Sequence, residues 1–272
     1  MMGRDTAFKK VYGEVLAPYG YKKVKGGKPY LVRVVSDEII HVVSCVNCDA
    51  ASYGMGEYMI CGGVVTVYRK EINFSCPASF NHWLLDNLQI CQRTTDMEYS
   101  PSLCNEFIAK YEKDNEESLL TSMWNTVEKT KQYLLPVLEK VTDLRSCIDY
   151  YHKFAFADIL CYFADGFEVG TMGGRASDWL SFIKLFTFEE FKKMKQSIYN
   201  SDMEKYKEKI KSNILLNSDK SDIEWLTTTL NRELTGFEKW TKDPLLYKKL
   251  LDEMEIRKAG NIEKLRCYGL EI

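Results

Sequence analysis

The stretch Phe8–Val35, FKKVYGEVLAPYGYKKVKGGKPYLVRVV, reads as an amphipathic helix, a hard stop, and a strand that turns back on a second strand. Phe8, Val11, Tyr12, Val15 and Leu16 fall at i, i+3, i+4, i+7 and i+8, one apolar stripe at helical spacing. Asp5 or Thr6 is placed to cap its start. Pro18 disfavours helix at Ala17, and Gly20 allows a turn that other residues resist. Tyr21 to Lys25 then alternates, Gly26-Gly27 predicts a hairpin turn, and Pro29 opens a strand over Tyr30 to Val35.

Outward from this seed, Ser36-Asp37 predicts the next turn and Ile39 to Val46 a β-branched strand. Asn47 to Glu57 reads as a polar loop. Tyr58 to Tyr68 is a further strand, in which Gly62-Gly63 marks a bulge or a close backbone approach. Glu71 to Cys76 is a short fifth strand or a continuation. Four to five strands behind one helix predict an N-terminal antiparallel sheet with helices packed on one face, an α+β fold.

Pro77 to Asp114 carries no clear period. From Ser118 to Val141, Leu120, Met123, Trp124, Val127, Leu134, Leu135, Leu138 and Val141 predict one long helix, bent at Pro136 and suited to the open face of the sheet. Thr142 is placed to cap the next helix, with Leu144, Cys147, Ile148 and Tyr151 as its stripe. Beyond Phe154 the chain reads as wholly helical. Capping boxes stand at Thr187–Glu190, Ser201–Glu204 and Ser221–Glu224, and Asp243-Pro244 opens a helix that Gly260 is placed to end. The expected division is a sheet domain over 1–150 and an all-helical region over 151–272, with a soft boundary and the two able to pack as one unit.

Composition narrows the class. Of 272 residues, 45% are hydrophobic and 28% charged, the balance of a soluble globular chain. Lys+Arg number 37 against Asp+Glu 39, which argues against a nucleic-acid partner. No window approaches the roughly 18 apolar residues that cross a bilayer, so no membrane role is expected. No apolar segment follows Met1-Met2-Gly3-Arg4, which reads as the lack of a signal peptide. The nine scattered cysteines then read as reduced, buried thiols, and the cytoplasm as the address. The sequence carries no signal of oligomeric state.

Phe8, Leu16, Pro18, Gly20-Tyr21-Lys22-Lys23, Tyr30 and Arg33 together resemble the start of an uncharacterised family of bacterial cytoplasmic proteins, a domain of unknown function. Its members open with a helix, a Gly-(Phe/Tyr)-Lys-Lys step, a glycine turn and an aromatic-x-x-Arg strand. Some of them look like immunity-type proteins that neutralise partner toxins. The resemblance covers the first quarter to half of the chain. Here the turn is longer, over Val24 to Pro29, and the chain runs well past a typical member. The resemblance implies a fold and carries over no catalytic residue.

Four groups of residues invite a chemical reading. Cys45-Val46-Asn47-Cys48, with His41 before it and Cys61 after it, has the ligand types of a zinc site. No second CxxC accompanies it, so Cys45 at a strand end and Cys48 opening a loop is the preferred reading, with no metal and no cofactor. In DGFEVGTMGGRASDW, Gly166, Gly170, Gly173, Gly174 and Arg175 could cradle and grip a phosphate. There is no GKS/T ending and no preceding strand, so an interhelical loop is preferred; the Gly170–Arg175 loop defines the alternative, a phosphate- or nucleotide-binding enzyme. His82 has Asp86 four residues on, while His41 and His152 read as structural. Lys22, Lys23, Lys25 and Lys28, with Tyr19, Tyr21 and Tyr30 and with Arg33 beyond them, form a basic and aromatic patch fit for an acidic partner or for nucleic-acid phosphates. The competing explanation is a solvated edge strand. With no constellation of catalytic groups, the reading leans away from an enzyme. It favours a protein-binding module that uses the sheet face or the Lys22–Tyr30 hairpin.

Overall fold

The computed structural model describes residues 2–25, 29–48, 54–69, 71–75, 85–95, 107–154, 184–193 and 242–272, with helical positions, single or in pairs, between 196 and 231. The chain divides into two compact units. The first comprises Met1–Val67, Glu71–Phe156 and Lys258–Ile272, and the second Tyr68–Lys70 and Ala157–Arg257.

The opening stretch folds as its sequence dictates. Helix α1 (Arg4–Leu16) buries Phe8, Val11, Tyr12 and Leu16, a 3-10 turn follows at Ala17–Tyr19, and Gly20 takes φ +84 to reverse the chain. Neither Asp5 nor Thr6 caps α1. Its start is held by the Gly3 carbonyl, which accepts from the Thr6 and Ala7 amides. Strands β1 (Lys22–Lys23), β2 (Tyr30–Val34), β3 (Ile39–Asn47) and β4 (Met55–Thr66) then pair antiparallel in sequence order. The Gly26-Gly27 turn lies outside the described residues. The turn at Ser36 is fixed by its hydroxyl, which accepts from the Glu38 and Ile39 amides.

Two further strands share the far edge of β4: β5 (Leu85–Asp86) against Cys61–Gly62, and β6 (Ala109–Glu112) against Met55–Tyr58. The sheet therefore has six strands in five positions. Glu71–Ser75 is not a strand but an irregular segment. β3 and β4 pair in unbroken register through Gly62 and Gly63, so there is no bulge. Gly62 marks a close approach instead: a Cβ there would lie 2.5 Å from the Leu134 side chain.

Helices cover one face of the sheet. The long helix expected over Ser118–Val141 comes in three parts: α3 (Glu116–Lys129), a π-helical turn (Thr130–Leu134) and α4 (Leu135–Leu138). Pro136 has no N–H, and its ring collides with the carbonyl four residues back in a regular turn; the wide turn before it absorbs the clash. Tyr58 Oη bonds Ser122 Oγ on α3 at 2.9 Å, and His41 bonds the Val141 carbonyl at 2.7 Å. Helix α2 (Asn87–Thr95) follows β5 directly, and α5 (Leu144–Phe154) is capped by Asp143, whose carboxylate accepts from the Ser146 amide at 2.8 Å. Asp143, not Thr142, is the cap.

The other face is covered over β2, most of β3 and the end of β4, which the local periodicity does not announce. Helix α6 (Pro244–Cys267) starts with Asp243 accepting from the Leu245 amide, and its part from Lys258 onward belongs to the first unit. Gly260 does not end it. The end is at Gly269, φ +83, with the Gly269 amide on the Arg266 carbonyl and the Leu270 amide on the Leu265 carbonyl. Phe74 packs between Tyr30 (5.6 Å) and Tyr268 (5.1 Å), ring centre to ring centre. Ile39, Ile40, Val42 and Val43 of β3, pointing to opposite faces in turn, are all fully buried.

In the second unit, Thr187 and Glu190 form the predicted capping box: the Thr187 amide and hydroxyl donate to the Glu190 carboxylate, and the Glu190 amide donates to Thr187 Oγ. Phe188 and Phe191 pack on Tyr247, whose hydroxyl bonds the Phe186 carbonyl. Among the described residues, every element from Glu116 onward is helical. The molecule is an α+β protein.

Candidate functional site

Two surfaces of the first unit gather polar side chains on a defined frame. The first is the hairpin edge. β1 is the outermost strand, and Lys22, Lys23 and Lys25 are exposed on and beside it. Lys22 Nζ stands 3.3 Å from Glu271 Oε2, a solvent-exposed pair of small energetic weight. The stem of Lys23 crosses Gly13 of α1 so closely that a Cβ at Gly13 would meet its Cε at 2.3 Å. The Lys25 amide donates to the Tyr268 carbonyl at 3.1 Å, and its stem packs on Gly269. Arg33, half-buried, lies 4.0 Å from Glu139. Backbone and stems are thus held, while the ammonium groups reach solvent.

Tyr30 does not belong to this surface. It is buried against Phe74, 1% exposed, so the aromatic part of the predicted patch is core. Tyr21 is buried too, and loss of solvent raises its phenol above the ordinary range. Helices close one sheet face, and the other is buried at Tyr30, Val32, Ile40, Val42 and Ser44, while Val46, Met55, Glu57 and Met59 at its far end stay partly exposed.

The second surface is one the sequence does not announce. A cleft of about 710 Å³ lies between β6 and α3. One wall is Ile108 with Ala109, Lys110 and Glu112 of β6. The other is a polar stripe of α3 at helical spacing: Glu117, Ser118, Thr121, Ser122, Asn125 and Lys129. The corner joining them is rigid. Asn115 caps α3 by accepting from the Ser118 amide at 3.0 Å, donates to Glu112 Oε2 at 2.8 Å, and Ser118 Oγ accepts from the Glu112 amide at 3.0 Å. The polar period of α3 is present in the sequence. It is overshadowed there by the apolar stripe, because burial is what helical periodicity is usually read for.

The remaining chemical candidates are structural or lie elsewhere. Cys45 is buried within β3 and Cys48 follows the strand end, its thiol 3.7 Å from the Val46 carbonyl. Burial pushes the Cys45 thiol well above its ordinary range, away from the thiolate that a metal requires. Among the described residues no group of three or more His, Cys, Asp or Glu is gathered. Gly170, Gly173, Gly174 and Arg175 lie outside the described residues, as do His82 and the side chains of Asp86 and His152.

His41 is 1% exposed; its Nε2–H donates to the Val141 carbonyl, while Nδ1 has no partner among the described residues. Burial lowers its pKa to about 4, despite that hydrogen bond. The unfolded chain therefore binds a proton that the folded chain refuses between pH 6.5 and 4. The associated stability is full above about pH 6.5 and drains as pH falls towards 4. Urea titrations should show wild type losing about 2 kcal/mol more than His41→Gln between pH 7 and pH 5. Equal losses would remove His41 as the source.

No family model, no curated protein and no solved structure matches the chain.

Proposed function

We propose that the protein is a non-enzymatic, cytoplasmic protein-binding module, akin to the immunity-like members of the bacterial family it resembles, and that it meets an acidic partner through the hairpin edge. The observation that carries this reading is the frame beneath the cations. Lys22, Lys23, Lys25 and Arg33 lie on β1, beside it and on its partner strand β2, and the stems of Lys23, Lys25 and Arg33 lie on Gly13, Gly269 and Gly20, which lowers the rotamer freedom to be lost on binding.

The test is a pull-down from the native cytoplasm with wild type and with Lys22→Glu, Lys23→Glu and Lys25→Glu combined. We expect at least one protein held by wild type to be lost from the variant, with retention falling as salt is raised. The melting temperature of the variant should stay near that of wild type, because the three side chains are exposed. Identical partner sets would contradict the assignment.

A further inference from the structure

The cleft between β6 and α3 has the backbone chemistry of an unfinished sheet. Lys113 N donates to Gly54 O at 2.8 Å, one step beyond the paired run Met55↔Glu112 to Tyr58↔Ala109. Bonded and non-bonded pairs alternate in an antiparallel ladder. Tyr111 and Ala109 therefore direct their backbone groups to β4, while Lys110 and Glu112 direct theirs outward. Glu112 fixes the phase: its outward N–H goes to Ser118 Oγ and its outward carbonyl accepts from the Asn115 amide at 3.2 Å. The outward N–H and C=O of Lys110, in the cleft wall, have no partner among the described residues.

The opposite wall matches a strand in length. Glu117 to Lys129 spans about 18 Å of helix, which is the length of an extended segment of about five or six residues. The cleft is also polarised. Lys129 marks its basic end, placed beside the start of β6 by its ammonium 4.7 Å from the Phe107 ring centre; Glu112 and Glu117 mark its acidic end. Trp124, 44% exposed, follows Thr121 by three residues on α3 and is of a residue type enriched where partners anchor.

We propose that this cleft is a strand-addition site for an extended segment of a partner protein. The guest pairs antiparallel with β6, as every pair in this sheet is antiparallel. It enters at the acidic end and leaves at the basic end. It accordingly carries a basic side chain first and an acidic one about four residues later, with small polar residues between them facing Ser118 and Asn125. The surface is separate from the hairpin edge, so its fate in an experiment is independent of the charge-reversal test above.

The experiment is selection of a random heptapeptide display library on the immobilised full chain. We expect enrichment of Lys/Arg-x-x-x-Asp/Glu sequences in extended, proline-poor contexts. A synthetic peptide of that consensus should bind Lys110→Pro about tenfold more weakly, since proline removes one outward donor and leaves the ladder to β4 intact. Selection on Lys129→Glu should replace the acidic position by a basic one. If Lys110→Pro does not fold, amide hydrogen exchange of wild type decides: the Lys110 amide should slow on adding the peptide. Several outcomes overturn the proposal: no enrichment, enrichment of helix-forming sequences, equal binding by folded Lys110→Pro, or an unprotected Lys110 amide. Self-association of the chain that Lys110→Pro abolishes would make the occupant a second copy, and would likewise overturn it.

Discussion

Thr130→Val is expected to destabilise the first unit by about 2–4 kcal/mol, although valine matches threonine in shape. Thr130 is fully buried at the start of the π-helical turn. Its single hydroxyl proton goes to the Thr126 carbonyl at 3.1 Å, so its oxygen accepts from Tyr12 Oη at 3.1 Å and Asn87 Nδ2 at 3.0 Å. One side chain thus joins α1, α2 and the helix that begins with α3. Valine leaves the Asn87 amide without this acceptor and the Tyr12 phenol with Thr126 alone, and each lost bond costs about 1–3 kcal/mol before relaxation. Tyr12→Phe should cost clearly less in the Thr130→Val background than in wild type, because the phenol has already lost that bond there. Urea midpoints for the two single variants and the double variant give that coupling directly. Strict additivity would show that the hydroxyls act separately.

An effect of similar size is expected for Asn261→Leu, about 2–4 kcal/mol, on the opposite face of the sheet. Asn261 is 3% exposed on α6; its Nδ2 donates to the Val67 carbonyl at 2.7 Å and its Oδ1 accepts from the Ile72 amide at 3.0 Å. Leucine fills the space but leaves a backbone donor and a backbone acceptor buried and unpaired. Asn261→Asp sharpens the test. The ionised carboxylate still accepts from Ile72 but faces the Val67 carbonyl with an oxygen, whereas the protonated acid can donate to it. Relative to wild type, the aspartate variant should therefore be less destabilised at about pH 4 than at about pH 7. A variant equally destabilised at both would show that the Val67 contact is not what matters.

What the sequence discloses follows the range of the forces involved. The stop at Pro18 and Gly20, the Ser36 turn, the Thr187–Glu190 box and the Asp243-Pro244 start are each decided within a few residues, and each is in place. The antiparallel order of β1 to β4 follows, because short turns force neighbours to pair. The second cover of the sheet depends on contacts such as Tyr30 to Phe74 to Tyr268, between segments that no period connects. For that reason Tyr30 reads as surface in the sequence and is core in the fold. Gly260 illustrates the same limit: a helix glycine with nothing near its Cβ is tolerated in place, and the real terminus is the glycine that adopts a positive φ. The cleft is illegible for a different reason. β6, Ala-Lys-Tyr-Glu, alternates over only four residues, too short a run to announce a strand, so its strand character shows only in its pairing with β4.

With the centre of the sheet buried on both faces, the edges are what the first unit offers to partners: the lysine-bearing β1 and the cleft beside β6. Amide hydrogen exchange on the free full-length chain tests this most directly. Covered faces and open edges predict the slowest exchange at Val42, Val43 and Val65, inside the central strands, and fast exchange at Lys110, between protected Ala109 and Tyr111. Rapid exchange through β3, or a Lys110 amide as protected as its neighbours, would contradict that picture.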